Sequence, residues 1–226
     1  MESYTYLLVN LACISVPFVA SFYPKHSFYK EWKSFFKANI LVTLLFVIWD
    51  SLFTKTGVWG FNETYLTGIN IGNLPLEEIL FFICIPYACV FSYFAFQYFF
   101  KANFLKKSQA VISYMLISIL LIGAFLNYTK LYTSVTFFAT SFYLMYLVYK
   151  KANLSLHYLS YFFILPFFIL SNGVLTGSFL VEPIVWYNDA ENLGIRLFNI
   201  PIEDSIYGLL LIFMNIELYH YFKIKA

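Results

Sequence analysis

The chain has 226 residues, of which 61% are hydrophobic and 12% charged, with a formal net charge of +2 and a mean hydropathy of +0.73. Successive apolar runs of bilayer-spanning length read as an integral, all-α membrane protein. They leave no soluble stretch longer than a loop, so a Gly-rich nucleotide-binding domain has no room, and nothing in the charge balance calls for a nucleic-acid partner.

Seven spans are predicted in chain order: Tyr4 to Tyr23, Phe35 to Thr54, Leu76 to Phe100, Gln109 to Asn127, Leu131 to Tyr149, Leu156 to Thr176 and Pro201 to Phe222. At 1.5 Å per residue each is long enough for a hydrocarbon core of roughly 30 Å. The first has no basic residues ahead of it and no Ala-x-Ala-like site behind it, so it reads as a retained helix rather than a signal peptide. Cys13, Cys84 and Cys89 all lie in apolar runs and behave as small buried hydrophobes, with neither a disulfide framework nor a zinc site implied. Alternate loops divide the basic residues unevenly. Lys25, Lys30, Lys33, Lys37, Lys101, Lys106, Lys107, Lys150, Lys151, Lys223 and Lys225 fall on one side, against Lys55, Lys130 and Arg196 on the other. Eleven against three places the N-terminus outside and the C-terminus in the cytoplasm of a multi-pass inner (cell) membrane protein.

Six of the twelve carboxylates lie within or at the mouths of these apolar runs. Acids beside hydrocarbon are costly and usually functional. Four form matching pairs: Pro75-Leu76-Glu77-Glu78 opens the third span and Pro201-Ile202-Glu203-Asp204 the seventh, 126 residues later. The same offset lays Gly68-Ile69 on Gly194-Ile195 and Asn73 on Asn199, and the first three spans on the last three. The fourth span then connects two parallel repeats of three helices, whose interface is the natural place for a site. The predicted division is 1-108 for the first repeat, 109-130 for the connecting helix and 131-226 for the second. Asp50, beside Trp49, and Asn172 sit at the depth of the acid pairs. Adjacent helical residues point about 100° apart, so only one acid of each pair faces a given cavity squarely.

Each feature also has a plainer reading. Pro followed by acids is an ordinary helix start, because carboxylates favour the positive end of the helix dipole. Asp50 also reads as a lone structural acid, and Glu217 as a packing residue or a partner of Lys223. His26, His157 and His220 are poorly placed to join the acids, so a metal site would be all oxygen. Mg²⁺ at such a site would normally bind substrate phosphates beside basic helpers, and only Arg196 and Lys55 lie on that side. Most of the Phe and Tyr residues suit packing or lipid contact, and Trp59 and Trp186 suit an interfacial belt. A few aromatic faces turned inward would stabilise a cation.

The segments Gly68 to Phe82 (GINIGNLPLEEILFF) and Gly194 to Phe213 (GIRLFNIPIEDSIYGLLLIF) resemble the paired signatures of the membrane-embedded, two-component lycopene cyclases. The chain looks like the fused form, with a C-type-like first half and a D-type-like second half, and Asn172-Gly173-Val174-Leu175-Thr176 fits the D-type pattern. The resemblance implies a redox-neutral ring closure at the ends of lycopene, giving γ-carotene and then β-carotene. An acid protonates C2, the C5-C6 double bond attacks the C1 cation, and loss of the C6 proton leaves a β-ring; loss of a C4 proton would leave an ε-ring. It also implies catalytic roles for Glu77, Glu78, Glu203, Asp204 and Asp50, and substrate contacts from Asn172, Trp49 and Tyr207. No metal and no tightly bound flavin or other cofactor is expected. The expected partners are lycopene entering from the bilayer, membrane lipid and other carotenoid-pathway enzymes.

Two other classes share parts of this pattern. A Mg²⁺-dependent intramembrane prenyltransferase would normally show D-x-x-x-D clusters with basic helpers, which are missing here. A retinal receptor needs a lysine inside its last span, whereas Lys223 and Lys225 lie past it. A proton-coupled transporter would use the same acids as a relay.

Overall fold

The computed structural model describes residues 2–99 and 105–224. Phe100, Lys101 and Lys225, on which one predicted span end and two basic-side lysines fall, lie outside the described residues. The chain is 73% helical. Its α-helices are α1 (Thr5–Ala20), α2 (Trp32–Thr56), α3 (Leu76–Phe99), α4 (Gln109–Leu126), α5 (Leu131–Tyr149), α6 (Ser155–Leu175) and α7 (Ile202–Ile224). The bounds predicted from hydropathy agree to within about one turn. The largest difference lies near α1 and α2, where a 3-10 turn at Phe28–Glu31 runs into α2 ahead of the predicted start.

Six segments, those containing α1 to α6, are long and apolar enough to cross a membrane. The last helix, α7, is not among them and carries Glu203, Asp204, Glu217 and Lys223. It is nonetheless well enclosed, with Leu209 to Phe213 buried around its whole circumference. It packs on α2 and α5, α3 packs on α1, α2 and α6, and α4 lies outside against α5. Leu8, Val16, Val19, Ile119, Ile122 and Phe125 on α1 and α4 face outward, as expected where lipid replaces water as the solvent.

Between apolar helices in lipid, tight packing and polar contacts supply the adhesion that water supplies elsewhere. Pro86 inside α3 shows one such contact. A proline has no N–H and displaces the carbonyl four residues earlier, here that of Phe82. That carbonyl accepts hydrogen bonds from Asn39 Nδ2 at 2.9 Å and Thr43 Oγ1 at 3.0 Å, both on α2. Asn39 Nδ2 also reaches Asn215 Oδ1 on α7 at 3.1 Å, so one amide ties three helices together where α3 is interrupted.

Six short strands, none of them predicted from the sequence, organise the loops. β1 (Trp59–Phe61) pairs antiparallel with β4 (Val185–Tyr187), while β2 (Asn70–Ile71) with β3 (Leu74–Pro75) and β5 (Arg196–Leu197) with β6 (Ile200–Pro201) form tight hairpins. The hairpin registers, Asn70 opposite Pro75 and Arg196 opposite Pro201, recur at the 126-residue offset. Gly57, with φ of +76°, ends α2 in the left-handed conformation that glycine adopts without strain, and turns the chain into β1.

Candidate active site

The acid pairs sit where each hairpin feeds its helix, and within each pair the two acids part company. Glu77 Oε1 accepts the Thr67 N–H at 2.6 Å, and Glu203 Oε1 accepts the Leu193 N–H at 2.7 Å and the Thr133 hydroxyl at 2.5 Å. These first acids turn back to fix the preceding loop. The second acids, one residue and about 100° further round the helix, point into a shared cavity of about 50 Å³. Its lining includes Glu78, Asp204 and Asp50, together with Asn172 and Tyr207, and contains no Lys or Arg. Trp49 does not line the cavity. It stands behind Tyr207, with ring centroids 5.3 Å apart in an edge-on arrangement.

The three cavity carboxyls are held differently. Glu78 Oε2 accepts the Tyr6 hydroxyl from α1 at 2.5 Å. Asp204 accepts three hydrogen bonds: Tyr132 of α5 at 2.5 Å, Asn172 Nδ2 of α6 at 2.6 Å and Tyr187 of β4 at 2.9 Å. Asp50 Oδ1 accepts the Trp59 indole N–H at 2.5 Å, while its Oδ2 has no hydrogen-bond partner among the described residues. Tyr6 and Tyr132 stand at the same 126-residue offset as the acids they serve.

The β1–β4 ribbon roofs the cavity. Side chains alternate faces along a strand, so Trp59 and Phe61 from β1 point in together with their partners Tyr187 and Val185 from β4. Gly60 and Trp186 take the outer face. A Cβ at Gly60 would lie 2.3 Å from the Trp186 ring, so only glycine lets the indole cross the ribbon. Trp59, expected at the membrane interface, is instead 5% exposed, because its indole has Asp50 to bind and the Phe53 and Tyr132 rings to pack against at 4.9 and 5.0 Å.

Burial and the neighbouring Asp204 charge hold the Tyr187 phenol well above its ordinary pKa, so it remains a hydroxyl donor. Arg196 Nη2 binds the exposed Asp189 at 2.5 Å and keeps its carboxyl below the usual range. The guanidinium also donates to the Asn199 carbonyl at 2.7 Å and so staples the loop between α6 and α7. Among the described residues, no three His, Cys, Asp or Glu side chains form a group able to hold a metal ion.

The structure thus brings Glu78, Asp204, Asp50, Asn172 and Tyr207 together and leaves Glu77, Glu203 and Trp49 behind them. Tyr6, Tyr132 and Tyr187 were not foreseen, although the 126-residue offset that aligns the acids also aligns Tyr6 with Tyr132. Glu217 pairs with His157, its Oε1 2.8 Å from the imidazole Nε2, rather than with Lys223, which binds Glu31 at 2.8 Å. His157 reaches Glu217 from α6 and so takes the acid that was expected to pair along α7 itself.

The family model described as Lycopene cyclase matches residues 3–96 and 127–222 of the chain. No curated protein and no solved structure matches it.

Proposed function

The chain belongs to the lycopene cyclase family, which gives it a carotenoid substrate and a cyclisation to catalyse, and on that premise we propose that it is a lycopene β-cyclase, an isomerase that closes the ψ-ends of lycopene at the acid cavity. The observation that carries this reading is a pocket in which three carboxyls meet aromatic faces and no cation. Such a pocket suits a reaction that begins with proton transfer to a double bond and passes through carbocations.

Glu78 is the proton donor in this reading. It has a single side-chain partner, Tyr6, among the described residues, and it shares the cavity with two other acids, so one of the three is best kept neutral. Its proton goes to C2, leaving the positive charge on C1. The C5-C6 π electrons form the C1–C6 bond and move the charge to C5. Asp204, with three donors matched to a carboxylate, and the faces of Trp59, Tyr132 and Tyr207 hold that charge. Asp50 Oδ2, with no other partner, takes the C6 proton, and the C–H electrons become the new C5-C6 double bond. Asp50 then loses that proton to solvent and Glu78 takes up another from solvent, which resets the site. No atoms are gained or lost overall, and no electron acceptor is needed. Glu77, Glu203 and Trp49 act as positioning residues, holding the loops and Tyr207.

The architecture of the proposal is seven spans in two parallel repeats, 1-108 and 131-226, joined by a connecting helix within 109-130. Its support is the recurrence at one offset of the hairpin registers, of the Tyr6–Glu78 and Tyr132–Asp204 bonds, and of the N–H groups of Thr67 and Leu193 on Glu77 and Glu203. The basic-residue asymmetry supports an inner-membrane protein with its N-terminus and acid cavity towards the outer face. Arg196 is occupied by Asp189 and no basic side chain lines the cavity, which leaves a diphosphate without a cationic clamp and disfavours the prenyltransferase reading.

Cyclisation in membranes suspended in D₂O tests the mechanism. The donor carboxyl exchanges with solvent, so each ring formed carries one deuterium at C2. Rings formed without deuterium would overturn it.

A further inference from the structure

A second, larger cavity of about 540 Å³ lies between α1, α3 and α6. Its walls are Val9, Ala12, Cys13, Val16 and Pro17 from α1, a face of α3 from Ile85 to Ser92, and a face of α6 from Ile164 to Val174, with no charged side chain among them. Val16, Phe167 and Leu170 are also strongly exposed on the outer surface, so the cavity opens sideways between helices where lipid would lie.

Its position is set by the chain's own geometry. Tyr6 and Glu78, at the N-terminal ends of α1 and α3, and Asn172, near the C-terminal end of α6, all touch the acid cavity. On α1 and α3 the walls begin about one to two turns further in, at Val9 and Ile85, and run away from the acids to Pro17 and Ser92, while on α6 they run from Val174, beside Asn172, past Phe168 to Ile164. At 1.5 Å per residue the walls run about 10 to 15 Å along the three helices. Phe168 lines both cavities. Its ring lies against Gly208 of α7, where a Cβ would come within 3.4 Å of it.

The corresponding surface of the other half is closed. At the 126-residue offset, Ala38 and Val42 of α2 stand where Ile164 and Phe168 of α6 stand, and both are buried. There α2 packs along α7 and is bonded to it through Asn39 and Asn215. Among the described residues, the groove on α6 therefore has no open counterpart at Ala38 and Val42 of α2.

We propose that this groove holds the polyene chain of the carotenoid, with Phe168 at its inner end setting how far the reacting end group advances towards Glu78. The inference rests on the cyclase reading for the identity of the occupant. An uncharged, elongated hydrocarbon matches the walls in polarity and shape, and the lateral opening admits it from the bilayer. A single groove serves one end of the substrate at a time, so the monocyclic product leaves and re-enters reversed before the second ring closes.

The test uses the full-length protein in membranes, with Cys84→Ala and Cys89→Ala leaving Cys13 as the reporter in the groove wall. Lycopene is expected to slow the labelling of Cys13 by a lipid-soluble maleimide several-fold. Ala12→Trp and Ala88→Trp, which fill the groove, are expected to raise KM about tenfold with little change in kcat, whereas Ile119→Trp on the outer face of α4 changes neither. Cyclisation by the wild-type chain with Cys13 unprotected and both groove-filling variants unaffected would overturn the groove assignment alone. Protection of Cys13 without any cyclisation would overturn the cyclase reading and leave the groove as a carotenoid site. Neither protection nor cyclisation would overturn both.

Discussion

Tyr6 donates its hydroxyl to Glu78 at 2.5 Å, joining the first turns of α1 and α3 inside the acid cavity. Tyr132 and Asp204 repeat this contact 126 residues later, but there Asn172 and Tyr187 also donate to the acid. One carboxyl is therefore held by one donor and its counterpart by three, and that asymmetry is the basis for giving them different roles.

The two tyrosines should differ on removal. Tyr6→Phe takes from Glu78 its side-chain donor and is expected to lower kcat about a hundredfold, within the range for a mispositioned general acid. Tyr132→Phe leaves Asp204 with two donors and is expected to cost about tenfold or less. Turnover rates of the two variants in membranes, normalised to protein level, check the order.

Glu77 and Glu203 should tolerate Gln and not Leu. An amide oxygen still accepts the loop N–H groups of Thr67 and Leu193, so Glu77→Gln and Glu203→Gln are expected to keep most activity. Glu77→Leu and Glu203→Leu strand those N–H groups and are expected to lose about 1–3 kcal/mol of stability. Thermal inactivation of detergent-solubilised protein distinguishes the two sets. A Gln variant that is stable but inactive would restore its carboxyl to the proton-transfer step.

The roof of the cavity depends on a close crossing. Gly60→Ala places a methyl group in the Trp186 ring, as the 2.3 Å approach requires, and is expected to reduce turnover by about tenfold or more through displacement of Trp59 and Tyr187. Adding Trp186→Ala removes the obstruction and should restore most of the loss. A double variant no better than Gly60→Ala would show that the ribbon has another constraint.

Asn39 is predicted to matter for stability away from the chemistry. Asn39→Leu leaves the Phe82 carbonyl with Thr43 alone and breaks the link to Asn215. In a membrane this is expected to cost about 1–2 kcal/mol. Unfolding of the solubilised variant measures it, with kcat of the folded fraction unchanged.

Much of the helical layout was legible because the apolar runs are long and their ends carry charge. The predicted Leu131 to Tyr149 span coincides with α5. The acid register was legible because Pro75 and Pro201 mark the same helix start in both halves. Which acid of each pair faces the cavity was not, since that choice depends on the Thr67 and Leu193 N–H groups folding back, a matter of hairpin geometry. Two- and three-residue strands are too short for an alternating pattern to show. The pairing of Trp59 with Tyr187 joins distant loops and leaves no local trace, so Trp59 looked interfacial. Phe198 hides the second hairpin further. It holds a φ of 55° at the place where Gly72 turns the first hairpin, and a bulky residue there gives no turn signal.

The most direct test of the acid cavity is to express the wild-type chain, Glu78→Gln and Glu77→Gln side by side in a lycopene-accumulating bacterial host and chromatograph the extracted pigments. The account predicts β-ring carotenes from the wild type and from Glu77→Gln, and unchanged lycopene from Glu78→Gln at an equal membrane level. Carotenes formed undiminished by Glu78→Gln would contradict it.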